Sequence, residues 1–324
     1  MVKAIRFHQA GGPEVLQLED ITLPPPGPGE VRVKIAAAGL NFIDVYQRKG
    51  LYPVPMPSGL GGEASGTIEA IGEGVTGFAV GDPVAYGTAP LGSYAEAANV
   101  PAAIVLKRPK DVADETAAAI MLKGMTAEYL LRRTYKVEPG DTIVFYAAAG
   151  GVGLIACQWA KALSATVIGI VGNDEKAALA RANGCAHTLI LGRDDIPKKV
   201  RELTNGRGVP VVYDSVGKDS FDISLDCLAP RGLLASFGSS SGPVGIPDLG
   251  VLARKGSLYV TRASLYTYTA TRGELEESAA ALFDVVRSGK VKIAINQRYK
   301  LADTAQAHRD LEGRKTTGAT ILLP

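Results

Sequence analysis

Histidine and cysteine are scarce in this chain. Three histidines (His8, His187, His308) and three cysteines (Cys157, Cys185, Cys227) are spread over 324 residues. No C-x-x-C pair occurs and no cysteine cluster lies near a histidine, so no zinc site can be assembled from the sequence and none is expected. The same scarcity argues against a Ser-His-Asp or Cys-His nucleophile, because no histidine falls in a motif beside a candidate nucleophile. Widely spaced, unpaired cysteines suit reduced thiols, and the expectation is a cytoplasmic protein whose cysteines are structural.

Charge of one sign is also lacking. Lys and Arg number 35 against 33 Asp and Glu, a formal charge of +2. That balance does not provide the basic excess on which phosphate-backbone binding draws, so a nucleic-acid partner is not expected. Basic pairs such as Lys198-Lys199 read as a solvated helix face. The stretch Met1 to Gly12 alternates and reaches a glycine pair without the apolar run of a secretory signal, so no export is expected. The most apolar stretch, Thr142 to Leu163, is split by Gly150, Gly151 and Gly153 into a strand and a helix, so no membrane span is expected.

What remains is an ordinary globular composition, 46% hydrophobic and 21% charged. At this length two domains are expected, because single cores usually stop growing at smaller size. The first hundred or so residues read as short strands, Ala4 to Phe7, Val31 to Ala38, Gly66 to Ile71 and Asp82 to Tyr86, in an antiparallel, barrel-like region. Pro24-Pro25-Pro26-Gly27-Pro28-Gly29 withholds amide donors and must be a surface loop. From about Thr142 short apolar runs alternate with amphipathic segments of helix length, the pattern of repeated βαβ units. Six parallel strands are predicted: Thr142 to Tyr146, Thr166 to Val171, His187 to Ile190, Val209 to Asp214, Gly232 to Phe237 and Ser257 to Thr261. The fold class is therefore α/β, a doubly wound Rossmann sheet beside a β region. A helix from about Glu274 to Ser288 and a terminal strand, Thr320 to Leu323, follow and are expected to return to the first domain.

The turn Ala147-Ala148-Ala149-Gly150-Gly151-Val152-Gly153 lies between a strand and a helix carrying Val152, Ile155, Ala156, Trp159 and Leu163 on one face. Ala148, Gly150 and Gly153 occupy the three positions of a dinucleotide fingerprint, where a tight turn and an open helix N-terminus admit a pyrophosphate. Dinucleotide enzymes that prefer NAD place an acid about 20 residues on, at the end of the second strand. Here that place holds Gly172, followed by Asn173, with Lys176 one turn into the next helix. A 2′-phosphate would meet a cation there, which favours NADPH, although Asp174 and Glu175 bring negative charge nearby. Asn173 or Asp174 is expected to cap that helix and Gly184 to end it.

The segments Gly39-Leu40-Asn41-Phe42-Ile43-Asp44, Ser58-Gly59-Leu60-Gly61-Gly62-Glu63-Ala64-Ser65-Gly66, Val212-Tyr213-Asp214-Ser215-Val216-Gly217 and Ser236-Phe237-Gly238, with the glycine turn and Arg314, together resemble the medium-chain dehydrogenase/reductase superfamily. Within it the chain is similar over its whole length to the zeta-crystallin-like NADPH:quinone oxidoreductase family. The resemblance implies a GroES-like barrel catalytic domain, residues 1–123, to which residues 264–324 return, around an NADPH-binding Rossmann domain, residues 124–263. It also implies zinc independence. Zinc alcohol dehydrogenases of the superfamily carry a cysteine where this chain has Asn41 and a histidine where it has Gly62.

Carried over residue by residue, Asn41, Asp44, Tyr46 and Tyr52 are implied to line the nicotinamide and substrate cleft, with Thr126 near the cofactor. Gly150, Gly151, Val152, Gly153, Gly172, Asn173, Lys176, Ser215, Phe237, Ser239 and Arg314 are implied NADPH contacts, together with Asn41 and Tyr46. Relatives often carry Asn-Tyr at the end of the third strand, where this chain has Ile190-Leu191, which removes one contact to the 2′-phosphate. The implied reaction is transfer of reducing equivalents from NADPH to a quinone by a homodimer. Two other readings stay open: NADPH-dependent reduction of an enone or alkenal double bond, and a non-catalytic, NADPH-responsive RNA-binding protein.

Overall fold

The computed structural model describes residues 1–88, 90–246 and 248–324. They form two compact units, one of residues 1–125, 269–283 and 293–324 and the other of residues 126–268 and 284–292.

The first unit is built around the long strand Glu30–Leu40, whose alternating residues Val31, Val33 and Ile35 are buried. It pairs antiparallel with Ala64–Ile71 on one side, and along its length with Ala97–Pro101 and the terminal strand Ala319–Leu323. Thr320 stands opposite Leu40 and Leu322 opposite Ala38, so the C-terminus closes the sheet that the N-terminal part begins. A smaller sheet of Gln17–Ile21, Val2–Phe7 and Ser58–Gly59 completes the β region. Phe7, Leu40, Leu60, Ile68, Tyr86 and Tyr94 pack in one core. The proline-rich segment lies outside any strand, and its Pro24 carbonyl accepts from Asn99 Nδ2 at 2.9 Å.

The second unit carries a six-stranded sheet, wholly parallel, in the order His187–Ile190, Thr166–Val171, Thr142–Tyr146, Val209–Asp214, Leu228–Ser236, Tyr259–Arg262. This is the doubly wound order in which the chain reverses direction after the third strand, leaving a crevice at the carboxyl ends of the first and fourth. Strand residues such as Val144, Ile168, Ile170 and Val212 are almost wholly buried, as a parallel sheet with helices on its faces requires. The apolar stretch at Thr142 is indeed divided, into the strand Thr142–Tyr146 and the helix Gly151–Ala162. Trp159 on that helix packs in the interior. Among the described residues, no helix is long and apolar enough to cross a membrane. The three cysteines are free and buried.

Candidate active site

In the first unit, the helix Phe42–Arg48 follows directly on the long strand and brings Asn41, Asp44 and Tyr46 together. Asn41 is the N-cap, and Asp44 at the third helical position accepts its backbone N–H on Oδ2 at 2.7 Å, a capping-box contact. The same oxygen accepts the Tyr94 hydroxyl at 2.7 Å. Asp44 is buried, and its Oδ1 has no partner among the described residues. Burial pushes its carboxyl up to about 7 against the opposing pull of the two hydrogen bonds. Tyr94, buried beside that carboxylate, is held well above the ordinary phenol range.

Asn41 is also buried, and both of its amide hydrogens are directed inward. Nδ2 donates to Glu63 Oε2 at 2.8 Å and to the Gly39 carbonyl at 3.4 Å. In the capping box the Asn41 side chain in turn faces the backbone N–H of Asp44. Glu63 is 0% exposed and its carboxylate is filled: Oε1 accepts the Leu122 N–H at 2.7 Å, and Oε2 also accepts Lys123 Nζ at 2.9 Å. Gly39 makes room for this arrangement, since a Cβ there would lie 2.0 Å from Glu63 Oε2 and 2.4 Å from the Ala118 carbonyl. Tyr46 is buried on the same helix and meets Tyr52 edge-on at 5.5 Å between ring centroids. Tyr52, 38% exposed, is the more accessible residue of the two.

The network extends behind this helix. Arg48 is fully buried and donates to the Gly11 carbonyl at 3.1 Å and to Glu312 at 2.8 Å, with its Nη1 3.1 Å from His308 Nδ1. Burial and the facing guanidinium push His308 down to about 3, so it is neutral at physiological pH. Arg314, past the helix Thr304–Glu312, is exposed with φ +58°.

In the second unit the glycine turn has the geometry a dinucleotide needs. Ala147 takes φ +50° to end the strand, and Gly150 is the N-cap of Gly151–Ala162 with no capping side chain among the described residues. The first N–H groups of a twelve-residue helix are thus left to a ligand. Gly153 is required by packing, because a Cβ would stand 2.3 Å from the Ala147 carbonyl oxygen. At the end of the second strand Gly172 is exposed, and a Cβ placed on it would meet no atom within 4 Å, which leaves room for a ribose. Asn173 caps Asp174–Ala182 by accepting the Lys176 N–H at 2.9 Å, and Gly184 follows its end with φ +109°. These residues fit a dinucleotide.

Asp174 does not stand alone there. Arg193 Nη1 donates to its Oδ2 at 2.8 Å, so the acid that follows Gly172 is paired with a cation. Asp214, at the end of the fourth strand, shapes the next loop: its carboxylate accepts the Val216 and Gly217 N–H groups and the hydroxyls of Ser220 and Ser224. Ser215 lies in that loop. Phe237 and Ser239 follow the fifth strand, with the Phe237 ring 5.6 Å from that of Phe145, and Thr126 is buried near the start of the unit.

The residues that sequence reading left without a role are Glu63, Lys123, Tyr94, Arg48, His308, Arg193 and Asp214. A signal existed for Lys123. It is the one charge between Glu115 and Glu128 in the run Thr116-Ala117-Ala118-Ala119-Ile120-Met121-Leu122-Lys123-Gly124-Met125, where a buried cation demands a buried partner. Among the described residues no group of three or more His, Cys, Asp or Glu is placed to hold a metal ion.

Comparison with known proteins fits this geometry. The alcohol dehydrogenase GroES-like domain matches residues 27–110, and the zinc-binding dehydrogenase domain matches residues 151–283. A quinone oxidoreductase of Pseudomonas aeruginosa is 54% identical, with both chains covered in full. The chain belongs to the quinone oxidoreductase family. Quinone oxidoreductase 1 of Escherichia coli is 48% identical with both chains covered in full, and 2-haloacrylate reductase of Burkholderia is 44% identical over 100% of this chain and 99% of its own. The solved structure of Escherichia coli quinone oxidoreductase complexed with NADPH superposes with a TM-score of 0.98 at 48% identity, covering 99% of this chain and 100% of that one.

Proposed function

We propose that the chain reduces a quinone to the hydroquinone at the expense of NADPH, without a metal. The observation that carries this reading is the likeness, over full length, to quinone oxidoreductases of 48–54% identity. The uncapped glycine turn and the Arg193–Asp174 pair that follows Gly172 support the cofactor, and a neighbour of TM-score 0.98 is an NADPH complex. Gly150, Gly151, Val152 and Gly153 would hold the pyrophosphate, and Gly172, Asn173, Lys176 and Arg193 the 2′-phosphate end. Ser215, Phe237, Ser239, Thr126 and Arg314 complete the proposed contacts.

Bound NADPH supplies the hydride, and one proton from solvent completes the hydroquinone. The protein's part is orientation and hydrogen bonding. Charge develops on the quinone oxygens, and the hydroxyls of Tyr46 and Tyr52 are the donors assigned to them. Asn41, its amide nitrogen held by Glu63, is assigned to the cofactor side of the cleft, and Asp44 holds the Asn41 backbone and Tyr94 in place. Steady-state kinetics of Tyr52→Phe test the donor role: a lowered kcat/KM for quinone is expected, and unchanged kcat and KM would remove Tyr52 from it.

The Burkholderia relative's name supports a second reading, hydride delivery to an activated carbon–carbon double bond, at lower identity than the quinone oxidoreductases. Rates with 1,4-benzoquinone or a naphthoquinone against those with a simple alkenal separate the two. The quinones are expected to be the faster substrates, and an alkenal turned over faster would reverse the assignment. A homodimer in the cytoplasm completes the proposal. Buried thiols suit a reducing compartment, and Tyr259–Arg262 pairs with only one strand of its sheet among the described residues.

A further inference from the structure

We propose that Lys123 is a positioning residue for the reaction, acting through Glu63 on the Asn41 amide. This rests on the reading of Asn41 as a contact of cofactor or substrate. Lys123 sits on the helix Asp114–Tyr129 with its side chain 6% exposed, 2.9 Å from a Glu63 carboxylate that is itself wholly buried. Stability alone is a poor reason for such a pair. Desolvating two charges costs about as much as their attraction returns, and apolar residues of similar volume often serve as well or better.

What the pair does supply is polarity. Glu63 takes both the Lys123 ammonium and an Asn41 amide hydrogen on Oε2, while Leu122 N–H fills Oε1. The amide nitrogen is thereby held inward. Without the lysine, Glu63 Oε2 loses the cation that holds it, and the Asn41 amide loses its fixed short contact and keeps only the longer one, to the Gly39 carbonyl at 3.4 Å. Asp44 and Tyr94 also lie within electrostatic reach of Glu63. Lys123 is thus the cation that fixes the carboxylate on which the Asn41 amide rests.

A double-mutant cycle tests this. Lys123→Met should lower kcat/KM for 1,4-benzoquinone at saturating NADPH by about tenfold or more, the scale of a misplaced contact. In an Asn41→Ala background the same substitution should cost less than about twofold, since nothing is left to orient. Lys123→Arg should restore most of the activity, and Glu63→Gln carries the same cycle should Lys123→Met fail to fold. NADPH affinity by fluorescence titration is read on the same set, so the coupling is measurable even if the parent reduces no quinone. That outcome would sink the activity and leave the inference standing. An equal loss in both backgrounds, or an Asn41→Ala variant that behaves as the parent in both readouts, would overturn the role of Lys123.

Discussion

At the scale of single residues, burial sets the chemistry more than sequence identity does. Asp44 is an ordinary aspartate whose carboxyl is pushed up to about 7 because it is enclosed. The folded chain therefore keeps a proton that the unfolded chain has released between about pH 4 and pH 7, so this contribution to stability is present below that window and is lost as pH rises through it. Asp44→Asn removes the effect. The melting temperature of the variant minus that of the parent should rise from about pH 4.5 to about pH 8, by the equivalent of about 4 kcal/mol at most. A flat difference would show that Asp44 does not titrate there. His308, pushed down to about 3, works the other way, favouring the fold as pH rises toward 6.5, so His308→Gln should give a difference of opposite slope.

Lys176 and Arg193 yield a second residue-scale prediction. Lys176→Glu or Arg193→Ala should lower kcat/KM for NADPH by about tenfold while leaving NADH nearly unchanged, the effect of one lost charge contact near the surface. An equal loss with both cofactors would place these residues outside the 2′-phosphate site. Gly172, Asn173 and Lys176 were readable as candidates because they follow one another in a single turn. Arg193 was not, because the third strand brings it to Asp174 from 19 residues away. The Asn41 network was less legible still: Glu63 is 22 residues from Asn41, Lys123 is 60 from Glu63 and His308 is 260 from Arg48. Spacing patterns report local periodicity, and these contacts are made by topology.

At the scale of elements, the parallel sheet was readable where continuous apolar runs meet clear punctuation. Thr142–Tyr146, Thr166–Val171, His187–Ile190 and Val209–Asp214 have the bounds their sequences suggest. Leu228–Ser236 begins four residues before Gly232, because the strand runs on through Pro230 and through Arg231 at φ +61°, which break the apolar run. Tyr259–Arg262 starts after Ser257, which holds φ +56° in the preceding turn. Strands such as Ile295–Lys300, with only two apolar side chains in Ile295-Asn296-Gln297-Arg298-Tyr299-Lys300, gave no signal and owe their conformation to the terminal strand beside them. The glycine turn makes the element-scale prediction. Gly153→Ala sets a methyl against the Ala147 carbonyl and must push the helix off its strand. It should cost about 1–3 kcal/mol in denaturant unfolding and weaken NADPH binding with it. Full stability and affinity would mean that the close approach is not required.

At the scale of the whole molecule, a β unit that supplies Asn41, Tyr46 and Tyr52 and a doubly wound unit that supplies the dinucleotide turn lie on one chain, with the terminal strand Ala319–Leu323 returned to the first. The open edge at Tyr259–Arg262, with Tyr259 62% exposed, gives the prediction for assembly. Sedimentation should find the parent at twice the chain mass, and Tyr259→Lys combined with Thr261→Lys should shift it toward monomer, because charged side chains deny an edge to a neighbour. A monomeric parent would refute the dimer. The central claim is tested most directly by following oxidation of NADPH and of NADH with 1,4-benzoquinone after treatment with a chelator. The account predicts turnover that prefers NADPH and survives chelation. No turnover, equal use of NADH, or loss of activity with the chelator would contradict it.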